Sequence, residues 1–552
     1  MFDTNKLCEL LFKDKLNTTE EIKAKYKKRE LAEGAKVTRM APSPTGFMHL
    51  GNLFAALTSE RLAHLSGGVF YLRIEDTDQK REVEGGVGAI ISSLSQFGLN
   101  FDEGATVDGD MGEYGPYRQR QRKEIYQAFA KELVMQGKAY PCFCTEDDLN
   151  TLKEEQEQKK EDNLGYTNKW AKCRNLTLDE ISAKLDADMP FVIRLKSQGN
   201  LENKFKFTDL IKGDLQLTEN DMDIVLLKSD GIPTYHFAHV IDDYLMGTTH
   251  VVRGDEWLAT LPIHLQLFRE TGLKAPKYMH IAPLMKMEGD TKRKLSKRKD
   301  PELALDFYMQ DGYIVNCVMT YLMTLLNSNF EEWATANPEK SYKDFPFSPK
   351  KMSVSGALFD LVKLDDVSKN QIAKLSNTEL YNEICKYAEN YDKQFFELIR
   401  KYEDKTKAIL NIGRTGAKPR KDIAKLSQMK NYISYYFDEI YEPEYNFPEN
   451  VSVDDRIAIL NDYKEIYSDN DTSDEWFTKI KNLGEKYGYT GNMKEYKQNP
   501  ESFKGNVSHV STVIRVGVTG RENTPDMYDV FKVMGSEFVK KRLENYINGK
   551  NV

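Results

Sequence analysis

The sequence predicts an α/β protein in which a parallel-sheet nucleotide fold is interrupted by an insertion and followed by an all-helical region. From residue 37 the chain alternates strand, loop, helix and strand, which is typical of a parallel sheet covered by helices. Residues 119–230 break this alternation with a very polar helix and isolated strands, so we interpret them as the insertion. Beyond about residue 300 the chain is rich in Lys, Glu, Tyr and Leu in helical patterns and offers few strand candidates.

Local patterning predicts the individual elements. Residues 1–36 form a charged helical extension, because Leu7, Leu10, Leu11 and Leu16 recur at near-helical spacing. Short apolar runs bounded by Gly or Pro predict strands, and longer periodic segments predict helices. The predicted strands cover residues 37–40, 69–74, 191–195 and 249–253, and the predicted helices cover residues 53–65, 83–97, 149–160 and 258–271. The α/β alternation resumes at residues 233–238.

Composition excludes several classes of protein. With 552 residues, 40% of them hydrophobic and 30% charged, we expect roughly two to five folded domains rather than a disordered chain. No run approaches the roughly 18 apolar residues of a membrane span, and the N-terminus lacks a signal-peptide core. The six cysteines are mostly scattered, which favours a reducing compartment, so we expect a cytoplasmic protein with no membrane partner.

The distribution of charge is more informative than the formal net charge of -8. Residues 292–299 carry six bases and no acid, and residues 414–430 carry six bases and one acid. A solvated surface is the ordinary explanation for such runs, and contact with RNA is the alternative.

The segment of residues 39–52 has the features of a phosphate-binding turn. It lies between a predicted strand and a predicted helix, and its prolines, Pro42 and Pro44, fix an extended loop. Gly46 and Gly51 allow the backbone to approach a ligand, and the helix N-terminus that follows favours an anion. His49 can donate to such a phosphate; a turn with a satisfied histidine is the simpler alternative for these residues.

The basic run of residues 292–299 lies in a predicted loop far downstream. Its cations repel one another unless an anion joins them, and the pyrophosphate that leaves ATP is such an anion. Lysines aimed at its developing charge stabilise the transition state rather than the ground state. Nuclear import or simple RNA contact remains the alternative.

The two segments resemble the paired signatures of the class I aminoacyl-tRNA synthetases, both in order and in separation. His49-Leu50-Gly51-Asn52 corresponds to the first signature and Lys294-Leu295-Ser296-Lys297-Arg298 to the second; Asn52, Leu295 and Arg298 depart from the common pattern. Residues 72–78, 233–238, 252–257 and 513–521 are similar to the bacterial glutamyl-tRNA synthetases. The resemblance runs from Val37 to the end, and the N-terminal extension is longer than this family usually has.

The resemblance implies a Rossmann-like catalytic domain, an inserted α+β domain that binds the acceptor end of tRNA, and an all-helical C-terminal region that binds the anticodon. The expected bounds are an extension at residues 1–36, a catalytic domain at 37–118 and 231–285, an insertion at 119–230, a linking stem-contact region with the lysine loop at 286–375, and an anticodon-binding region at 376–552. A monomer is expected, with ATP, L-glutamate and tRNA(Glu) as substrates.

The resemblance also assigns roles to individual residues. Glutamate carries two carboxylates and one ammonium, so its pocket needs cationic groups, preferably arginines, and one acid. The expected glutamate-binding residues are Arg39, Ala41, Ser43, Glu75, Tyr235 and Arg253, of which Arg39 with Tyr235 would contact the side-chain carboxylate and Glu75 the ammonium. The expected ATP-binding residues are His49, Gly51, Asn52, Glu256, Trp257, Lys294, Ser296 and Lys297, and the expected catalytic residues are His49, Asn52, Lys294 and Lys297. A structural pair between Arg39 and Glu75 is the alternative.

Metal and RNA sites are less sharply indicated. Magnesium is expected with ATP, held mainly by phosphates and water, and Asp242-Asp243 is interpreted as an ordinary loop acid pair. Cys142, Cys144 and Cys173 resemble the zinc site of some family members, but only Tyr166 offers itself as a fourth ligand, so we expect reduced buried cysteines and leave zinc open. The expected tRNA contacts are Arg414, Lys418, Arg420 and Lys421.

Three other functions are weighed against this interpretation. A glutamyl transferase that modifies a tRNA nucleoside would lack the helical C-terminal third. An inactive RNA-binding relative would have lost Lys294, Lys297 or His49, all of which are present. An unrelated nucleotide-binding enzyme would not explain glutamate-pocket candidates at the ends of separate strands. Whether tRNA(Gln) is also charged is a question that the sequence leaves open.

Overall fold

The computed structural model describes residues 3–44, 48–78, 83–161, 164–414, 416 and 418–549. The chain divides into two structural units: Met1–Phe307 with Met319–Asp360, and Tyr308–Val318 with Leu361–Val552. Gly46, which the sequence suggests for close backbone approach, lies outside the described residues. None of the helices in the described ranges combines the length and the apolarity needed to cross a membrane.

The N-terminal extension forms helices α1 (Thr4–Leu11) and α2 (Thr19–Lys25). The Asp3 side chain caps α1 by accepting from Lys6, and Thr18 with Glu21 forms a capping box that begins α2. Leu7 and Ile22 are buried in the same core as Phe129, which belongs to the predicted insertion. The predicted helix therefore breaks in two, with one apolar face of each helix packed on the rest of the unit.

The first strands of the parallel fold form one sheet. The elements in chain order are β1 (Val37–Met40), α3 (Leu50–His64), β2 (Val69–Leu72), α4 (Gly86–Gln96), β3 (Glu103–Ala105) and β4 (Asp110–Met111). β1, β2 and β3 are parallel and β4 is antiparallel. All four residues of β1 are buried, as expected for a parallel strand that is covered on both faces.

The predicted insertion contains antiparallel strands and amphipathic helices. Its elements are α5 (Lys123–Met135), β5 (Ala139–Cys142), α6 (Glu146–Gln158), α7 (Leu178–Asp186), β6 (Val192–Leu195), β7 (Lys204–Asp209), β8 (Gly213–Thr218) and β9 (Val225–Leu227). β5, β6 and β9 form an antiparallel sheet, and β7 with β8 forms a hairpin. This local architecture combines antiparallel strands with separate helices and is α+β.

The parallel fold then resumes through α8 (Tyr235–Leu245), β10 (His250–Gly254), α9 (Leu261–Glu270) and β11 (Lys277–Ile281). β10 pairs with β11 in parallel, and the backbone N–H of Thr249 donates to the carbonyl of Val37 at 3.0 Å, which sets β10 beside β1. The described strands therefore lie in the order β4-β3-β2-β1 on one side of this junction and β10-β11 on the other, so the chain order of the strands reverses between β1 and β10. In sheets of this kind, ligands bind outside the carboxyl ends of the strands at that reversal.

The rest of the first unit begins with the hairpin of β12 (Met285–Glu288) and β13 (Thr291–Lys294). Helices α10 (Leu305–Gln310) and α11 (Val315–Leu326) follow, each with residues in both units, and α12 (Phe330–Ala336) lies in the first unit. Residues 292–294 of the basic run lie in β13 rather than in a loop. The loop of residues 295–299 therefore begins directly at the end of a regular strand.

The second unit is built on helices. They are α13 (Leu361–Ile372), α14 (Asn377–Tyr391), α15 (Lys393–Lys401), α16 (Glu403–Asn411), α17 (Met429–Ile433), α18 (Val453–Ile466), α19 (Ser473–Lys486), α20 (Met493–Gln498), α21 (Val507–Thr519), α22 (Met527–Met534) and α23 (Ser536–Ile547). At Gly517 an added Cβ would lie 2.8 Å from a Leu460 methyl, so glycine permits α18 and α21 to approach closely. The prediction of an all-helical region misses one short parallel pair, β14 (Tyr489–Thr490) with β15 (Gly505–Asn506).

Candidate active site

A cavity of about 560 Å³ opens at the carboxyl ends of β1 and β10. β1 ends at its wall with Met40, β10 with Gly254, and the turn after β2 contributes Glu75. The predicted site residues that line it are Arg39, Ala41, Ser43, His49, Gly51, Asn52, Glu75, Tyr235, Arg253, Glu256, Trp257, Lys294 and Lys297. Ser296 is the predicted ATP-binding residue that is not among them; its backbone N–H donates to Asp300 at 2.8 Å.

His49 and Asn52 lock the first turn of α3. The backbone N–H of Asn52 donates to His49 Nδ1 at 3.3 Å, and the backbone N–H of His49 donates to Asn52 Oδ1 at 3.1 Å. The predicted helix over residues 53–65 therefore begins earlier, at Leu50, because these side chains cap it. Since Nδ1 accepts, the proton of the neutral ring is on Nε2, which is free to donate to a ligand. Gly51 leaves room for the ring, because an added Cβ would lie 3.1 Å from it.

The lysine loop is held by the side chains that lie between its lysines. Arg293 donates to both oxygens of Asp300 at 2.6 and 2.8 Å, and Leu295 is buried. Lys294 and Lys297 line the cavity and form no ion pair with any residue that the structure describes. Their positive charges are therefore directed at the cavity rather than neutralised inside the protein.

The two signature segments meet at this cavity, although they are remote in sequence. Burial lowers the pKa of His49, and the charges of Lys297 and then Lys294 lower it further. All three side chains line the same cavity. A neutral N–H donor and two unpaired cations thus face the same space, which is the arrangement that a polyanion such as a nucleoside triphosphate requires.

Arg39 belongs to a buried network of charged side chains. Its Nε–H donates to Asp243 Oδ1 at 3.3 Å, and Arg73 donates to the same oxygen at 2.5 Å. Arg73 also donates to Glu75 at 3.0 Å, so Arg39 and Glu75 do not pair with each other. Burial acts against ionisation of Asp243, but Arg73 and Arg39 outweigh it and hold the pKa of Asp243 below its usual range.

Asp242 and Asp243 correct the sequence interpretation of a loop acid pair. Both lie within α8, and the side chain of each is 0% exposed. Asp242 accepts from Arg122 at 2.7 Å and from Tyr126 at 2.8 Å. Sequence reasoning missed Arg73 and Asp243 as parts of the site, because nothing local indicates which distant arginine a buried acid will meet.

Two aromatic residues, Tyr235 and Trp257, line the cavity, and the ring of Tyr235 packs against histidines. The ring of Tyr235 lies 4.6 Å from that of Trp257 and 5.9 Å from that of His239. Arg253 donates to the backbone carbonyl of Trp257 at 3.3 Å and to His280 Nε2 at 3.0 Å. Sequence reasoning also missed the histidines, although the unusual density of His in residues 236–280 was a signal.

The cysteines of the insertion form a tight cluster. The sulfur atoms of Cys142, Cys144 and Cys173 all lie within 4.8 Å of one another. The Tyr166 hydroxyl lies 3.4 Å from the first sulfur and 3.3 Å from the second. The Tyr166 hydroxyl, the possible fourth ligand, therefore lies beside two of the three thiols, and this donor set fits a four-coordinate zinc ion.

The predicted tRNA contacts in the second unit differ in their surroundings. Lys418, Arg420 and Lys421 are exposed, and Arg420 pairs with Asp422 at 2.6 Å. Arg414 is half-buried and donates to the carbonyl of Ile372 at 2.8 Å, at the end of α13. Its guanidinium satisfies a helix C-terminus, which the other three side chains do not do.

Comparison with known proteins agrees with the geometry. The family described as "tRNA synthetases class I (E and Q), catalytic domain" matches residues 36–365, and the "Anticodon binding domain" family matches residues 394–547. The glutamate–tRNA ligase of Acetivibrio thermocellus is 51% identical over 546 residues, covering 99% of this chain and 100% of that protein. The glutamate–tRNA ligase of Clostridium perfringens strain SM101 is 47% identical over 98% of this chain and 99% of its own length.

Among solved structures, the glutamate tRNA ligase of Elizabethkingia meningosepticum in complex with its amino acid has a TM-score of 0.74 and 26% identity, and the similarity covers 93% of this chain and 99% of that one. The alignment with the Acetivibrio protein covers 99% of this chain, so it takes in most of the N-terminal extension, which is thus shared with a relative. The chain belongs to the class I tRNA synthetases, in their glutamate–tRNA ligase branch.

Proposed function

We propose that this chain activates L-glutamate with ATP and transfers it to the 3′-terminal ribose of tRNA(Glu). One observation carries the proposal: the turn that begins α3, two lysines without an ion pair among the described residues, and two arginines line one cavity where the strand order reverses. Membership of the family accounts for the use of ATP, an amino acid and tRNA. The matched anticodon-binding family argues against a nucleoside-modifying transferase, and the presence of His49, Lys294 and Lys297 at the cavity argues against an inactive relative.

The glutamate pocket is proposed at the inner end of the cavity. Arg39, with Tyr235, would bind the side-chain carboxylate, and Arg253 would hold the amino acid from the opposite strand. Glu75 would accept from the ammonium, and Ala41 and Ser43 would complete the wall. A glutamine substrate would leave the buried Arg39 facing an uncharged amide. A site built to bind one polar group can lower kcat/KM for an analogue that lacks this group by well over tenfold.

ATP is proposed to lie between His49 and the lysine loop, near Gly51, Asn52, Glu256 and Trp257. A carboxylate oxygen of glutamate attacks the α-phosphorus, and the bond from that phosphorus to the β-bridging oxygen breaks. Pyrophosphate leaves with the electron pair, and Lys294 and Lys297 stabilise the negative charge that develops on it. His49 donates from Nε2 to the phosphate. The ribose hydroxyl of tRNA then attacks the mixed anhydride, and AMP leaves.

Positioning and electrostatics account for this chemistry without a covalent enzyme intermediate. Magnesium would accompany ATP through its phosphates and water. Ser296 would act through its backbone, since its N–H fixes the loop on Asp300.

We further propose that Cys142, Cys144, Cys173 and Tyr166 hold a structural zinc ion in the insertion. Two thiolates at about 2.3 Å from a tetrahedral zinc ion are about 3.8 Å apart. The sulfur atoms of Cys144 and Cys173 lie 3.7 Å apart, which supports the assignment. Zinc there would join the start of α6 to the turn before α7 and would take no part in the reaction.

The division of the chain given by the sequence is retained as our proposal for tRNA binding. The insertion at 119–230 would bind the acceptor end, the region at 286–375 the stem, and the region at 376–552 the anticodon. Lys418, Arg420 and Lys421 are the proposed RNA contacts, and Arg414 would support them by holding the end of α13. A monomer would suffice for all these contacts.

The test is pyrophosphate exchange, measured with glutamate or glutamine and with tRNA present or absent. We expect exchange with glutamate and at least about tenfold less with glutamine. Equal exchange with both amino acids would overturn the assignment of Arg39. No exchange with either amino acid, with tRNA present and absent, would overturn the proposed function itself.

A further inference from the structure

The guanidinium of Arg253 is held entirely by neutral acceptors. Its Nε–H donates to His280 Nε2 at 3.0 Å, its Nη1–H to His264 Nδ1 at 3.1 Å, and its Nη2–H to the carbonyl of Trp257 at 3.3 Å. Within the described residues no carboxylate forms an ion pair with it, whereas Arg39 and Arg73 share Asp243. Arg253 is only 6% exposed, so its charge is almost fully removed from bulk water.

Asp209 fixes which nitrogen of His280 carries the proton. Its carboxylate lies 2.7 Å from His280 Nδ1 and can only accept, so Nδ1 bears the proton. The opposite nitrogen, Nε2, is thereby left with a lone pair for Arg253. The same carboxylate accepts from the backbone N–H groups of Ile211 and Lys212, at 2.9 and 2.8 Å, so the turn between β7 and β8 holds it in place.

A second histidine pair fixes the other acceptor. His264 Nδ1 accepts from Arg253, so its proton is on Nε2, and this N–H donates to His236 Nδ1 at 3.0 Å. Burial, followed by the neighbouring His239 and Arg253, keeps the pKa of His264 well below its usual value. Each imidazole is therefore neutral and has one defined tautomer, and each presents a lone pair to the same guanidinium.

We propose that Asp209, His280 and His264 are positioning residues for the amino-acid substrate, acting through Arg253. They satisfy the donors of the guanidinium without neutralising its charge, and the whole charge is then available to a carboxylate of the substrate. A carboxylate in their place would bind Arg253 more tightly but would compete with the substrate. Asp209 lies on the β7–β8 hairpin, so a segment of the proposed insertion helps to set the amino-acid pocket.

This inference rests on the proposed function, and it predicts that the variants change one kinetic constant selectively. His280→Leu removes the acceptor, so Arg253 loses its orientation and keeps a buried N–H unsatisfied. We expect KM for glutamate to rise at least about tenfold in pyrophosphate exchange, with KM for ATP within about twofold of wild type. His280→Gln keeps an oxygen that can accept from Nε of Arg253, and we expect it to recover most of the glutamate affinity.

His250→Gln is the matched control. His250 is a buried histidine like His280, and it lies on the same strand as Arg253, but its ring contacts Thr249 rather than Arg253. His250→Gln should leave both KM values unchanged. If His280→Leu does not fold, as judged by circular dichroism and the melting temperature, Asp209→Asn takes over the test. Its amide can donate to Nδ1 and so place the proton on Nε2 facing Arg253, and we expect KM for glutamate to rise at least about threefold.

The test uses His280→Leu, or Asp209→Asn if His280→Leu does not fold. The inference is overturned if the KM for glutamate of the variant used is unchanged, or if its KM values for glutamate and ATP rise equally. It is also overturned if His280→Gln fails to improve on His280→Leu when both are folded. If the wild-type protein exchanges pyrophosphate with glutamate and the variants give any of these contrary results, the positioning role is rejected and the proposed function stands. If the wild type supports no exchange with either amino acid, the proposed function falls first.

Discussion

The carboxylate of Asp243 lies 3.3 Å from Nε of Arg39, and the same oxygen accepts from Arg73 at 2.5 Å. An acid on α8 therefore sets the orientation of the arginine that faces the cavity from β1. Its neighbour Asp242 has the same burial but serves Arg122 and Tyr126, which do not line the cavity. Of the two adjacent acids, Asp243 therefore orients a residue of the pocket, whereas Asp242 has a structural role.

Replacing either acid should destabilise the protein, but only one replacement should alter substrate binding. Asp243→Asn and Asp242→Asn each leave a buried arginine without its partner, which costs about 3–5 kcal/mol. We expect both to lower the midpoint of urea unfolding. Asp243→Asn should also raise KM for glutamate in pyrophosphate exchange by about tenfold, equivalent to about 1.4 kcal/mol, while folded Asp242→Asn should not. Equal effects on KM would assign both acids the same role.

Lys297 should contribute to the rate of activation rather than to ATP affinity. Its charge is unpaired within the described part of the chain and faces the space where pyrophosphate would leave. We expect Lys297→Ala to lower the rate of pyrophosphate exchange at saturating ATP by about 100-fold, with KM for ATP within about twofold. Lys299→Ala is the control, because Lys299 pairs with Glu288 and does not line the cavity. An unchanged rate for Lys297→Ala would remove this lysine from the mechanism.

Much of the fold could be predicted because its signals are local. Residues 37–40 begin the local strand–loop–helix–strand alternation, and they form β1 with the predicted limits. The convergence of His49 with Lys297 was also predicted, but from the resemblance of two motifs rather than from any local pattern. Element ends were less accurate: the capping box of His49 and Asn52 moves the start of α3, and β14 and β15 are too short to leave a strand pattern.

The supporting residues could not be predicted, because their roles depend on partners far away in sequence. Asp209 meets His280, and Asp243 meets Arg39, only once the sheet and the hairpin are assembled. Arg414 illustrates the same limit: its basic neighbourhood predicts RNA contact, but folding directs its guanidinium to the carbonyl of Ile372. A sequence pattern shows that a charge exists, and the packing decides what the charge binds.

His64 should make stability depend on pH. Its ring nitrogens lie 2.7 Å from Glu60 and 2.9 Å from Asp102, and the hydrogen bond to Glu60, followed by that to Asp102, raises the pKa of His64 against the effect of burial. A raised pKa means that this contribution is complete below the unfolded value of about 6.5 and is lost as pH rises through the folded value.

We therefore expect His64→Gln to lower the urea midpoint clearly at pH 6 and little at pH 9. His250→Gln provides the comparison, since burial lowers the pKa of His250 to about 4 and the ring stays neutral at both pH values. Its effect on the midpoint should be the same at pH 6 and pH 9. An equal loss at both pH values for His64→Gln would show that the ion pairs do not contribute as the raised pKa requires.

The cysteine cluster predicts a metal content that can be measured directly. Three sulfur atoms within 4.8 Å of one another, with a tyrosine hydroxyl beside two of them, would repel as thiolates unless a cation joined them. Protein purified without chelator should contain about one zinc ion per chain by elemental analysis, and Cys144→Ser should lose most of it. Cys385→Ser, which removes a thiol from the second unit, should not.

Tyr166→Phe sharpens this test, because it removes only the oxygen donor and keeps the ring that packs on Arg194 at 4.2 Å. If the hydroxyl is the fourth ligand, the variant should bind zinc but release it to a competing chelator at a lower concentration than the wild type does, because a water molecule must take the fourth position. A wild-type protein without zinc, whose melting temperature does not change when zinc is added, would show instead that these are reduced thiols held together by hydrogen bonds alone.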